Sequence, residues 1–228
     1  MSKRISCATR HRQRRLRGGK AVAEVGLDPS KYLTHEQVMT VLDYCRQKAQ
    51  GGGYRATVTL MLIETYIYTG LRAIEGLGLQ IRDLPGFNGH PDILRVPAEF
   101  AKGHKQRTIR VSPKIVEKWQ RFITEYHKPA LALISSGDPK KKAKGMRTPL
   151  FINERGKPIE YHGLYQRCRT VARHTGVKIR PHMLRHTYGS QLYAKRADLR
   201  FVQDQLGHTS PQVTSIYART LNPSGQQQ

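Results

Sequence analysis

The sequence predicts a mainly α fold with a small antiparallel β-sheet, an α+β arrangement. Most of the chain after residue 34 divides into segments with helical start and stop signals. Two neighbouring runs, 93–97 and 106–111, are strand-like and joined by a short turn segment, and otherwise strand character is confined to a three-residue stretch. No internal repeat breaks this order. The 38% hydrophobic content of the 228 residues is lean, but enough for a real core.

The elements follow in order. Residues 1–30 form a basic arm, with eight Lys and Arg before the first acid, Glu24, and Gly18, Gly19, Gly26 and Pro29 against any helix. The compact region, 31–219, begins near Tyr32. Thr34 and Gln37 have capping-box spacing and open a helix that ends before Gly51-Gly52-Gly53. Residues 55–69 are apolar on nearly every side, which predicts a buried helix closed by Gly70. A short helix follows at 72–79. Strands 93–97 and 106–111 make a hairpin with Lys102, Gly103, His104 and Lys105 at its turn. Ser112 and Pro113 supply an N-cap and first helical residue for one helix running to about 133. The Ser, Gly, Pro and Lys content of 135–149 predicts a loop with a basic knot at Lys140, Lys141, Lys142 and Lys144. Residues 150–152 read as a short strand, with a turn at Arg155-Gly156. Helices at about 160–174, 182–194, 198–206 and 211–218 complete the domain, and 220–228 is a short tail.

Charge narrows the function. Forty Lys and Arg face 16 Asp and Glu, a formal net charge of +24. Such an excess implies a polyanionic partner, with nucleic acid the leading candidate. A membrane surface fits less well, because the basic residues are spread along the chain rather than gathered on one amphipathic helix. No apolar run reaches the roughly 20 residues a bilayer span needs. Cys7, Cys45 and Cys168 are far apart and include no CxxC pair, so neither a disulfide framework nor a cysteine metal site is expected; a reducing cytoplasm fits.

Five segments carry candidate chemistry. Arg72 lies just past Gly70, where a planar guanidinium could meet a phosphate; many such arginines merely cap helix ends. Lys102, near a hairpin tip, could enter a groove, or be an ordinary turn lysine. His182 and Arg185 are three apart on one helix face, while Leu184, Tyr188 and Leu192 form the inward face. His182 and His186 have zinc-pair spacing, but Met183 stands where a metalloprotease helix has Glu, and no third ligand suggests itself. Gly207 closes a helix capped by Asp198, leaving His208 on an exposed junction. Tyr217 lies about two turns into a helix begun by Ser210-Pro211, and alone would be a half-buried packing residue.

Together the segments are specific. TGLRAIEGLGLQIRDL, AKGHKQRTIRV, PHMLRHTYGSQL and LGHTSPQVTSIY resemble, in order, the characteristic boxes of the tyrosine recombinases, the family of phage integrases and Xer-type enzymes. The resemblance runs from about Tyr32 to Tyr217. It implies that family's catalytic-domain fold, with Tyr217 as nucleophile and Arg72, Lys102, His182, Arg185 and His208 around the attacked phosphate. Lys105 is the alternative register for the lysine. Glu75 and His186 match frequent supporting positions. The resemblance further implies a 3′-phosphotyrosyl intermediate with a free 5′-hydroxyl and no ATP. In agreement, the chain has no GxxxxGK[ST] loop and no obvious carboxylate cluster for two metals, so neither cofactor nor metal is expected.

The expected partner is double-stranded DNA with paired recombination sites, bound by a protein that is monomeric in solution and a homotetramer on DNA, with accessory DNA-bending proteins a further possibility. Arg12, Arg14, Arg15, Lys105, Lys140, Lys141 and Lys142 are expected to touch phosphates. A cytoplasmic, nucleoid-associated protein of prokaryotic, phage or mobile-element origin is expected. The layout expected from the resemblance is that of a short form lacking the family's usual N-terminal DNA-binding domain. Eleven residues follow Tyr217, and Pro223 and Gly225 discourage a helix among them. The alternatives are type IB topoisomerase-like relaxation and a non-catalytic DNA-binding protein.

Overall fold

The computed structural model describes residues 29–101, 106–196 and 198–207. A 3₁₀ turn at Pro29–Lys31 leads into α1 (His35–Gln50), α2 (Tyr54–Thr69) and the short α3 (Ala73–Leu77). Strands β1 (Ile93–Val96) and β2 (Arg107–Arg110) follow, then α4 (Pro113–Tyr126), α5 (Lys128–Ile134), α6 (Pro139–Met146), α7 (Tyr161–Thr175), α8 (Pro181–Arg196) and α9 (Leu199–Leu206). No helix among the described residues is long and apolar enough to cross a membrane.

Helix α2 is the axis of the fold. Val58, Leu62, Ile63, Tyr66 and Ile67 are each at most 1% exposed, and α1, α3, α4, α7 and α8 all pack on it. Its neighbour α1 starts on the expected capping box: Thr34 N–H donates to Gln37 Oε1 at 3.0 Å, and Gln37 N–H to Thr34 Oγ1 at 3.2 Å. Val38, Val41, Leu42 and Cys45 form its buried stripe at helical spacing. Gly70 ends α2 in the left-handed conformation, φ +63°.

The strands pair antiparallel, Ile93 with Arg110 and Val96 with Arg107. Leu94, Val96 and Ile109 share the buried face. Helix α9 has the expected Asp198 cap, which accepts from Phe201 N–H at 3.0 Å. It packs on α8 through Val202 and Leu206 against Tyr188 and Leu192.

Three expectations need correction. The single helix from Ser112 to about 133 is two. Pro129, at the second position of α5, has no N–H to give and its ring crowds the carbonyl four residues back. The chain therefore turns at His127, whose buried ring nitrogen bonds Leu150 O at 3.0 Å. Residues 139–146, expected as loop, form α6. Asp138 caps it, its carboxylate accepting from Lys140 N–H at 2.8 Å, and Pro139 takes the first position. Residues 150–152 do not form a strand. The segment makes isolated bridges, Gln80 with Pro149 and Ile152 with Pro158, and a proline at each cannot donate to extend a ladder. The expected helix at 211–218 lies outside the described residues.

Candidate active site

The site is built where α2, α3, β2, α8 and α9 meet. Past Gly70, Leu71 is fully buried and Arg72 opens α3. One turn on, Glu75 folds back. Its Oε2 accepts from the Arg72 backbone N–H at 2.7 Å and its Oε1 from Arg72 Nη1 at 2.8 Å. Two more guanidinium groups reach the same carboxylate. Arg107 Nη2 donates to Oε2 at 2.8 Å, and Arg185 Nη1 lies 3.9 Å from that oxygen. Glu75 is completely buried, while side-chain exposure is 26% for Arg72, 15% for Arg107 and 4% for Arg185.

The same arginines close the C-terminal end of α9. Gln205 O accepts from Arg107 Nη1 at 2.8 Å, Leu206 O from Arg185 Nη2 at 2.7 Å, and Gly207 O from Arg72 Nη2 at 3.0 Å. Arg185 also donates to Gly70 O at 2.6 Å. These carbonyls need partners, and the negative end of the helix dipole suits cations. Burial pushes the Glu75 carboxyl up, but the Arg107 charge and the Arg72 hydrogen bonds outweigh it and hold it below its ordinary value. Among the described residues, three guanidinium charges thus face one carboxylate. The surplus is positive, and Arg72 is its most exposed member, an arrangement suited to an incoming anion.

His182 and His186 stand on the first turns of α8 with ring centroids 4.7 Å apart, edge to face. His182 and Arg185 share a face, as expected, but not a depth: Arg185 is buried in the junction and His182 is exposed. Partial desolvation on its inner side lowers the His182 imidazole, helped by the charges of Arg185 and Arg72. Burial, then His182, Arg185 and Lys31, push His186 down to about 4. Both rings are therefore neutral at pH 7, and a neutral ring can take a proton.

His186 gives a pH signature. Unfolded, it binds a proton near pH 6.5; folded, only near 4. A depressed folded-state value means that stability is fully present above 6.5 and is lost as pH falls toward 4. Thermal melts from pH 7 to 4 are expected to show a steeper fall in Tm for wild type than for His186→Gln. Parallel curves would remove His186 as the source.

Arg72, Glu75, His182, Arg185 and His186 are thus brought together. Lys140, Lys141 and Lys142 are not: they are exposed on α6, which packs on α5 and on the turn Ile81–Asp83. Arg12, Arg14, Arg15, Lys102, Lys105, His208 and Tyr217 lie outside the described residues. Sequence reasoning missed Arg107. Its signal was phase: it stands two and four residues before Ile109 and Val111, apolar residues that point inward, so a charge stood on the core face of a strand.

The helical domain, with arginines gathered around Glu75 at the end of α9, has counterparts. The family model described as the phage integrase family matches residues 31–222. The chain belongs to that family, the tyrosine recombinases. It is 35% identical over 158 residues to tyrosine recombinase XerC of Thermodesulfovibrio yellowstonii, covering 68% of this chain and 48% of that protein. It is 28% identical over 191 residues to tyrosine recombinase XerD of Mycobacterium leprae, covering 82% and 56%. Among solved structures, XerH site-specific recombinase bound to its difH substrate in a pre-cleavage complex superposes with TM-score 0.62 at 24% identity, covering 90% of this chain and 53% of that one. The chain spans about half the length of the curated relatives it matches.

Proposed function

We propose that this chain is a site-specific recombinase that cleaves and rejoins double-stranded DNA through Tyr217. The supporting observation is the pair Arg72 and Arg185, anchored by Glu75 and donating to the end of α9, immediately before His208. The tyrosyl oxygen attacks the phosphorus, and the bond to the 5′ oxygen breaks. A 3′-phosphotyrosyl ester and a free 5′-hydroxyl result, and the reverse attack restores the backbone. A tyrosine hydroxyl, with pKa about 10, is a weak nucleophile at neutral pH, so the field at the phosphate carries the reaction.

Arg72, Arg185 and His208 stabilise the non-bridging oxygens in the transition state. His182, neutral and at the rim, moves the tyrosine proton. Lys102 protonates the departing 5′ oxygen. Arg12, Arg14 and Arg15, with exposed Lys140, Lys141 and Lys142, add phosphate contacts, so affinity falls steeply with salt. The active form is a tetramer on paired sites, assembled from monomers, in a prokaryotic, phage or mobile-element setting. The relatives' own names, XerC, XerD and XerH recombinases, support this reading.

Nicked duplexes tiled across the DNA flanking the gene test it. Wild type is expected to accumulate a covalent protein–DNA adduct on a subset of them, and Tyr217→Phe none. Wild type that binds without any adduct marks a non-catalytic binder. Relaxation of a plasmid lacking every adduct-forming site marks a topoisomerase. An adduct with Tyr217→Phe removes the nucleophile assignment.

A further inference from the structure

The proposed cleavage chemistry leaves Arg107 unused, yet Arg107 touches more of the site's framework than an ordinary strand residue. It projects from β2 on the face shared with Leu94, Val96 and Ile109. One Nη donates to Glu75 Oε2 and the other to Gln205 O, both at 2.8 Å. Its stem lies against the backbone that ends α9: a Cβ on Gly207 would stand 2.6 Å from Arg107 Nε and 2.7 Å from its Cδ. Nε is buried, with no hydrogen-bond partner among the described residues. One side chain thus ties together three things: the strand leaving residues 102–105, the carboxylate that orients Arg72, and the helix end that leads to His208.

From this geometry we propose that Arg107 is a positioning residue for strand cleavage, which holds Glu75, and through it Arg72, in register with the end of α9. The inference rests on the recombinase reading given above. Arg72 is the more exposed of the two, 26% against 15%, and the salt series below separates a positioning role for Arg107 from a phosphate contact. Lysine is not an equivalent. Its single ammonium cannot span Glu75 and Gln205 with the planar geometry of a guanidinium. A small misplacement of a catalytic group can cost on the order of 10²-fold in rate.

Arg107→Lys, which keeps the charge, is the primary test, with Arg107→Met and Arg72→Ala beside it. Adduct formation is timed at saturating nicked DNA, and binding is measured across a salt series. Arg107→Lys is expected to slow adduct formation by about 10²-fold while leaving the log–log salt slope at the wild-type value. Arg72→Ala is expected to reduce that slope by roughly 0.9, the signature of one lost phosphate contact.

Three results overturn the inference. The first is cleavage by Arg107→Lys at the wild-type rate. The second is a salt slope that falls like that of Arg72→Ala, which makes Arg107 a phosphate ligand. The third is a lower melting temperature with normal cleavage by the folded fraction, which makes its role merely structural. If Arg107→Met does not fold, Arg107→Lys carries the test. Failure of the recombinase reading is separately visible, because wild type itself then forms no adduct.

Discussion

Glu75→Ala is expected to destabilise the protein by about 3–5 kcal/mol, the usual cost of removing one partner from a buried ionic cluster. Glu75 is fully buried and Arg185 nearly so, and Arg107 keeps only 15% of its side-chain surface. Without the carboxylate, three guanidinium groups share one junction, where carbonyl dipoles receive them but do not neutralise them. They repel one another there, and the Arg72 backbone N–H also loses its acceptor. Glu75→Gln keeps the shape and one oxygen acceptor but removes the charge, so its cost should be intermediate. Domains are commonly stable by only about 5–15 kcal/mol, so the alanine variant approaches the point of unfolding. Urea titration of the three proteins at pH 7 checks the order. A loss below about 1 kcal/mol for Glu75→Ala, the range of an exposed pair, would mean that solvent screens this cluster.

This cluster also marks where the sequence was readable. Thr34, Gly70, Pro113, Asp198 and Gly207 each act on their own neighbours, so the helix ends they set were visible in the chain. Arg72 and Glu75 are three residues apart, and their pairing is equally local. What was hidden depends on distant partners. Arg107 on the inner face of β2 makes sense only once Glu75, 32 residues away, is known to lie opposite. The depth of Arg185 depends on Gly70 O, 115 residues away. The break at His127 was partly legible in Pro129, yet the apolar run on either side masked it. Helix α6 was hidden by composition: its lysine run suggested loop, although Asp138-Pro139 carries the same kind of start signal as Ser112-Pro113. Lysine is in fact a good helix former.

Gly70→Ala is the second large effect, and it tests whether the end of α2 is as tightly built as the site requires. Gly70 has φ +63°, and a Cβ there would lie 2.3 Å from Tyr188 Cδ1 and 2.8 Å from Leu206 Cδ2. The left-handed conformation alone costs a non-glycine residue roughly 1–2 kcal/mol. Crowding of this kind in a packed interior adds typically about 1–3 kcal/mol. Tyr188 and Leu206 have little room to give, since they pack α8 against α9 with Leu192 and Val202. Any shift that relieves the clash moves the Gly70 carbonyl, to which Arg185 donates, or the Leu206 carbonyl, to which the same guanidinium also donates. Stability and cleavage should therefore fall together. Gly176→Ala is the control: Gly176 ends α7 at φ +71°, and a Cβ there would meet nothing within 4 Å. It carries the conformational cost without the crowding. Denaturant midpoints should place Gly70→Ala below Gly176→Ala by about 1–3 kcal/mol. Equal losses would show that α8 and α9 yield to an added methyl, and the end of α2 would then not be what fixes Arg185 in place.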